Sequence, residues 1–183
     1  VEKEDYAEAK ELLLRAVGEY PHNLGEGKLE SGQENNLYYL LGLVQEKLGE
    51  AKDAFESLTR ACCGESEPVG MMYYNDQPPE MIYYQGLAYR MLGEEEQAVR
   101  RFQKLVDYGR EHIRDDVKID YFAASLPDLL IFEENLNERN RKHCLFMMSL
   151  GLKGLGRIDE AEKCAEELLA MDNAHQEIRV HDL

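Results

Sequence analysis

LYYLLGLVQEKLGEAKDAFESLTRA (Leu37–Ala61) and MIYYQGLAYRMLGEEEQAVRRFQKL (Met81–Leu105) align without a gap. Gly42 falls on Gly86, Leu48 on Leu92, Gly49 on Gly93, Ala54 on Ala98 and Leu58 on Phe102. A third copy, LFMMSLGLKGLGRIDEAEKCAEELLAMD (Leu145–Asp172), carries Ser149 for the first glycine and keeps Gly156 and Ala161 in step. Small residues at facing positions let two antiparallel helices approach closely, and large apolar residues fill the space around them. Gly49, Gly93 and Gly156 stand where one helix must end and the chain reverse, which predicts positive φ at each.

This small–small–large spacing resembles the tetratricopeptide repeat (TPR), and the resemblance covers both helices of three units. DYAEAKELLLRAVGEYP (Asp5–Pro21) matches the second helix of one more unit, with Ala9, Leu13, Ala16 and Pro21 in TPR places. The chain thus opens in mid-repeat and without an initiator Met, which predicts a piece of a longer protein. The resemblance implies an all-α, right-handed solenoid of helical hairpins with about eight helices. Along the chain we expect a half repeat over 1–21, repeats over 35–62, 79–112 and 139–172, a helical insertion over 113–138, and a tail over 173–183.

The reversal glycines lie 44 and 63 residues apart, against about 34 for a plain repeat. The first excess is the loop CGESEPVGMMYYNDQPP (Cys63–Pro79), and the second is DDVKIDYFAASLPDLLIFEENLNERN (Asp115–Asn140). Within the latter, Ser125–Asp128 reads as a capping box with proline in the first turn. In the former, Asp76 or Gln77 is expected to cap the next helix, with Pro78 and Pro79 in its donor-poor first turn.

There are 37 acidic against 21 basic residues, a formal charge of −16. That field repels nucleic acid and anionic lipid, and no basic stripe interrupts it. No apolar run approaches the roughly 18 residues that span a bilayer. The start lacks the basic and apolar regions of a signal peptide. Cys62, Cys63, Cys144 and Cys164 show no CxxC spacing, and reduced thiols in a cytoplasmic protein are expected.

Tests for chemistry fail one after another. NLGEGK (Asn23–Lys28) departs from a phosphate loop, because only Glu26 separates the glycines and Leu29 follows Lys28. His22, His112, His143, His175 and His181 are dispersed, and the neighbours His143 and Cys144 point in different directions on a helix. No catalytic residue, cofactor or metal site is expected in this segment.

In TPR proteins the first helix of each pair lines a concave, peptide-binding face. By alignment its fifth place holds Tyr39, Tyr83 and Phe146, and its ninth Leu43, Leu87 and Leu150. Lys47, Arg90 and Lys153 follow one turn later. An aromatic row beside a leucine row predicts an apolar groove for a protein or peptide. The Lys and Asn with which TPR domains clamp C-terminal carboxylates are missing from these places. The loop residues Tyr73, Tyr74, Asn75, Asp76 and Gln77 are expected at one rim of this groove. The alternative is that the insertion or another domain covers the rings. A homodimer through the truncated N-terminal repeat is a further expectation.

YPHNLGEGK, YYNDQPPEMIYYQGLA, KIDYFAASLPDLLIF and ERNRKHCLFM together resemble the C-terminal TPR region of a family of large bacterial proteins. In that family an N-terminal β-rich domain similar to carbohydrate-active enzymes precedes the repeats. The resemblance implies that sugar chemistry sits in that domain, with this region as its structural tail or docking module. No established catalytic residue carries over to this region.

Overall fold

The structure, a computed structural model, describes residues 5–18, 33–70, 78–117 and 135–181. Among them are eight helices and no strand. They are α1 (Tyr6–Gly18), α2 (Asn35–Lys47), α3 (Ala51–Ala61), α4 (Pro79–Met91), α5 (Glu95–His112), α6 (Leu136–Gly154), α7 (Ile158–Met171) and α8 (Gln176–Val180). The fold class is all-α, built of helical hairpins: α2–α3, α4–α5 and α6–α7. The residues fall into two compact units, one formed by 1–67 and 77–102, the other by 68–76 and 103–183. The boundary between residues 102 and 103 falls within α5.

All three hairpins reverse by one device. Gly49, Gly93 and Gly156 have φ of 79°, 80° and 75°. In the first turn Glu50 N donates to Gln45 O at 2.9 Å and Gly49 N to Glu46 O at 3.0 Å. Glu94 to Tyr89 and Arg157 to Leu152, both 2.9 Å, repeat the longer bond. These pairs satisfy carbonyls that the helix end leaves without partners, and they require a left-handed residue at the glycine position.

The aligned small residues mark close approach of the paired helices. A Cβ on Gly42 would lie 2.7 Å from Leu58 Cγ, and one on Gly86 would lie 2.4 Å from Phe102 Cε1. In the third hairpin the same register holds Ser149 and Ala165, both buried, so a larger small residue goes with a smaller large one. Gly109 was not singled out by the pattern. A Cβ there would meet Met148 Cγ at 2.5 Å and Cys144 O at 2.7 Å, so α5 and α6 also touch closely.

Several expectations change in detail. The position preceding α4 is taken by Pro78, in extended conformation (φ −63°, ψ 136°), with Pro79 as the first helical residue and no side-chain cap. Asp76, Gln77 and Ser125–Asp128 lie outside the described residues. The helix before the third reversal starts at Leu136, capped by Asn135 Oδ1, which accepts from Glu138 N at 3.2 Å. Residues 173–183, expected as a tail, hold α8.

The loop leaving α3 is pinned by buried amides. Asn35 Nδ2 donates to Ala61 O (2.8 Å) and Cys63 O (2.7 Å). Gln85, fully buried on α4, donates to Cys63 O (3.1 Å) and Glu65 O (2.8 Å) and accepts from Arg101 Nε (3.0 Å). Main-chain carbonyls past the helix end, which water would otherwise satisfy, are thereby paired inside.

Candidate functional site

In the first unit the first-type helices α2 and α4 lie side by side. Tyr39 and Tyr84 meet across them with ring centroids 5.5 Å apart. Tyr84 meets Tyr83 at 5.9 Å, and Tyr83 meets Phe102 at 5.7 Å. A run of four rings thus leads from a half-exposed face into the core. Leu43 and Leu87, one turn beyond Tyr39 and Tyr83 on the same sides of their helices, are also half-buried.

Burial pushes the Tyr83 hydroxyl up to about 12, helped by Tyr39 and Tyr84 and opposed by Arg90. Burial, then Glu46, raises Tyr39 as well. Both phenols are protonated at neutral pH.

Two corrections follow for the expected aromatic row. Tyr83 is only 7 % exposed, because helix phase turns it onto Phe102; Tyr84, its neighbour, is the ring that Tyr39 meets. Phe146 is 4 % exposed and Leu150 fully buried. In the second unit His175 and His181 lie 5.3 and 5.9 Å from the Phe146 ring. Ile178 is buried between these two positions in sequence, and Lys153 Nζ donates to His181 O. The segment bearing α8 occupies the side of α6 that was expected to be open. Val180 follows Phe146 by 34 residues, the period of a plain repeat, so α8 stands in the register of a further first helix.

Arg90 is exposed but committed within its own hairpin. Its Nε and Nη2 donate to Glu95 at 3.0 and 2.8 Å, and its guanidinium lies 5.0 Å over the Phe102 ring. The hydrogen bond from Arg90 holds the Glu95 carboxyl below its usual range. Tyr73, Tyr74, Asn75, Asp76 and Gln77 lie outside the described residues.

A separate groove of about 360 Å³ runs between α1, α2 and α3, lined among others by Lys10, Leu14, Val17, Tyr38 and Arg60. Lys10 Nζ bonds Glu50 at 2.7 Å, and Arg60 lies 5.5 Å from the centre of the Tyr38 ring. Both cations therefore already have partners.

No group of three metal-ligating side chains occurs among the described residues. The four cysteines are free thiols. Cys62 and Cys144 are pushed up to about 12, chiefly by burial, which keeps them protonated and poorly nucleophilic. No described helix is long and apolar enough to cross a membrane.

His175 is a titratable group set against its environment. Its Nδ1 is buried with no hydrogen-bond partner, and burial lowers its pKa, with Lys142 adding to that effect and Asp172 and Glu177 opposing it. The unfolded chain therefore binds this proton more tightly than the folded one. The His175 contribution is fully present above the ordinary value of 6.5 and is lost as pH falls through the depressed folded value. We expect His175→Phe to flatten the fall in thermal stability between about pH 7 and 5, measured by circular dichroism.

Residues 80–108, which hold α4 after Pro79 and α5 as far as Tyr108, match the family model of the tetratricopeptide repeat. TPR repeats generally mediate protein–protein interactions, and the match supports reading this chain as a TPR protein.

Proposed function

We propose that the α2–α4 face binds a segment of protein through Tyr39, Tyr84, Leu43 and Leu87. The observation that carries this reading is the pair of half-buried tyrosines in ring contact, backed by buried Tyr83 and flanked by two half-buried leucines. Such rings bury large area at low entropic cost, and their hydroxyls add directional bonds. With Arg90 already paired to Glu95, the face suits an apolar or amphipathic helical segment better than a C-terminal carboxylate.

Methyl NMR with two synthetic probes tests this: a leucine-rich amphipathic helical peptide and an acidic C-terminal pentapeptide. The Leu43 and Leu87 signals are expected to shift saturably with the first and stay still with the second. Shifts confined to the acidic peptide, or none with either, would sink the proposal.

A second reading makes the same face an internal docking surface for another domain of a longer, carbohydrate-active chain. The four strings that resemble such a family favour it. Binding of the face in cis rather than to a separate protein distinguishes the two.

A further inference from the structure

Two imidazoles flank one buried ring in the second unit. His175 and His181 stand at the two ends of α8, with ring centroids 5.3 and 5.9 Å from that of Phe146. They are held differently. At the C-terminal end His181 Nδ1 donates to Glu177 O at 2.8 Å, and Lys153 Nζ donates to the His181 carbonyl. At the N-terminal end His175 precedes the first helical residue and makes no side-chain cap, and its Nδ1 is buried without a hydrogen-bond partner.

A proton on His175 is opposed from several sides. It would charge a ring packed on Phe146 and leave an N–H at Nδ1 without an acceptor. It would also stand at the positive end of α8. Lys142 of α6 repels it, whereas Asp172, just past α7, and Glu177, in the first turn of α8, attract it. Both acids have other calls on them. Asp172 Oδ1 accepts from Ala174 N at 3.2 Å and its Oδ2 lies 3.9 Å from Lys142 Nζ, while Glu177 Oε2 lies 3.9 Å from His181 Nδ1. Arg179 is turned to Asn173 O, at 3.3 Å. Burial is the largest of these influences and holds His175 below its ordinary value of 6.5.

The grip on α8 is slight. Five residues are too few to hold a helix unaided, and Ile178 is the residue of α8 that is fully buried. One aliphatic side chain, two rings on Phe146 and the lysine on His181 O carry the docking. Against so small a contact, a tenfold change in equilibrium per pKa unit is large.

We propose that residues 173–181 form an acid-released clasp: protonation of His175 lifts the segment from α6 and bares Phe146, while α6 and α7 stay folded. Released, His175 titrates near 6.5, and docked it titrates lower. Docking is therefore complete above the released value and weakens by about tenfold at most for each unit that the pH falls toward the docked one. The clasp lies wholly within the second unit, and its test does not depend on the reading of the α2–α4 face.

Amide exchange, corrected for the pH dependence of the intrinsic rates, together with NMR titration of the histidine ring protons from about pH 7.5 to 5, provides the test. The His175 ring is expected to titrate below 6.5. Protection of the His181 amide, which donates to Glu177 O at 3.1 Å, is expected to fall by about tenfold with the same midpoint. Amides of α7 are expected to keep their protection. His175→Phe should hold the His181 amide protected across the range. His175→Gln, which takes up no proton either, serves the same purpose should the larger ring disturb the fold. A His175 ring that titrates at 6.5 or above, protection that does not change, a fall shared equally by α7, or a fall that survives both substitutions overturns the proposal.

Discussion

Phe102→Ala is expected to cost about 3–5 kcal/mol, a large part of the roughly 5–15 kcal/mol that holds a domain folded. The ring is fully buried, packs on Tyr83, and carries the Arg90 guanidinium over one face. Its removal leaves a cavity against Gly86, whose missing Cβ made room for the ring. Gly86→Ala alone is expected to destabilise by about 1–3 kcal/mol, because the added methyl strikes a side chain that has nowhere to go. That loss is net of the roughly 1 kcal/mol by which alanine exceeds glycine inside a helix. In the Phe102→Ala background the sign reverses. The methyl then enters the cavity, and Gly86→Ala recovers about 1 kcal/mol. Urea unfolding of the four proteins closes the cycle. Additive effects would mean that the two positions do not oppose each other.

Gln85→Leu is expected to cost about 2–4 kcal/mol by the same measurement. The substitution keeps the volume but removes three hydrogen bonds. Cys63 O retains Asn35, whereas Glu65 O and Arg101 Nε lose a partner each. Amide exchange over residues 63–66 should quicken in parallel, since Gln85 ties this loop to α4. A loss below about 0.5 kcal/mol would show that water replaces the amide there.

The hairpins were legible because their constraints are local and repeated. A left-handed residue at each reversal and a missing Cβ opposite Leu58 or Phe102 leave the same mark at the same spacing. Exposure was not. Helix phase assigned Tyr39, Tyr83 and Phe146 to one face, but phase does not say what lies over a side chain. Phe146 is covered by the segment carrying His175, Ile178 and His181, whose spacing of three residues was a helical signal within a stretch expected as tail. Gln85 also left a trace: it is polar in a register that holds Leu41 and Met148. Tyr84 left a weaker one, as the second half of a tyrosine doublet. Gly109 left none, because contact between α5 and α6 has no counterpart in the pattern of a single hairpin.

The central claim is that the α2–α4 face is where this chain meets protein. A photo-crosslinking amino acid placed at Leu43, with a second version at Asp53 on the exposed side of α3, tests it most directly. Irradiation in cells, followed by mass spectrometry of the crosslinked peptides, is expected to give one recurrent protein adduct from position 43 and not from 53. Tyr39→Ala should reduce that adduct. A crosslink to the same chain would assign the face to internal docking. Equal, scattered adducts from both positions, unaffected by Tyr39→Ala, would contradict the account.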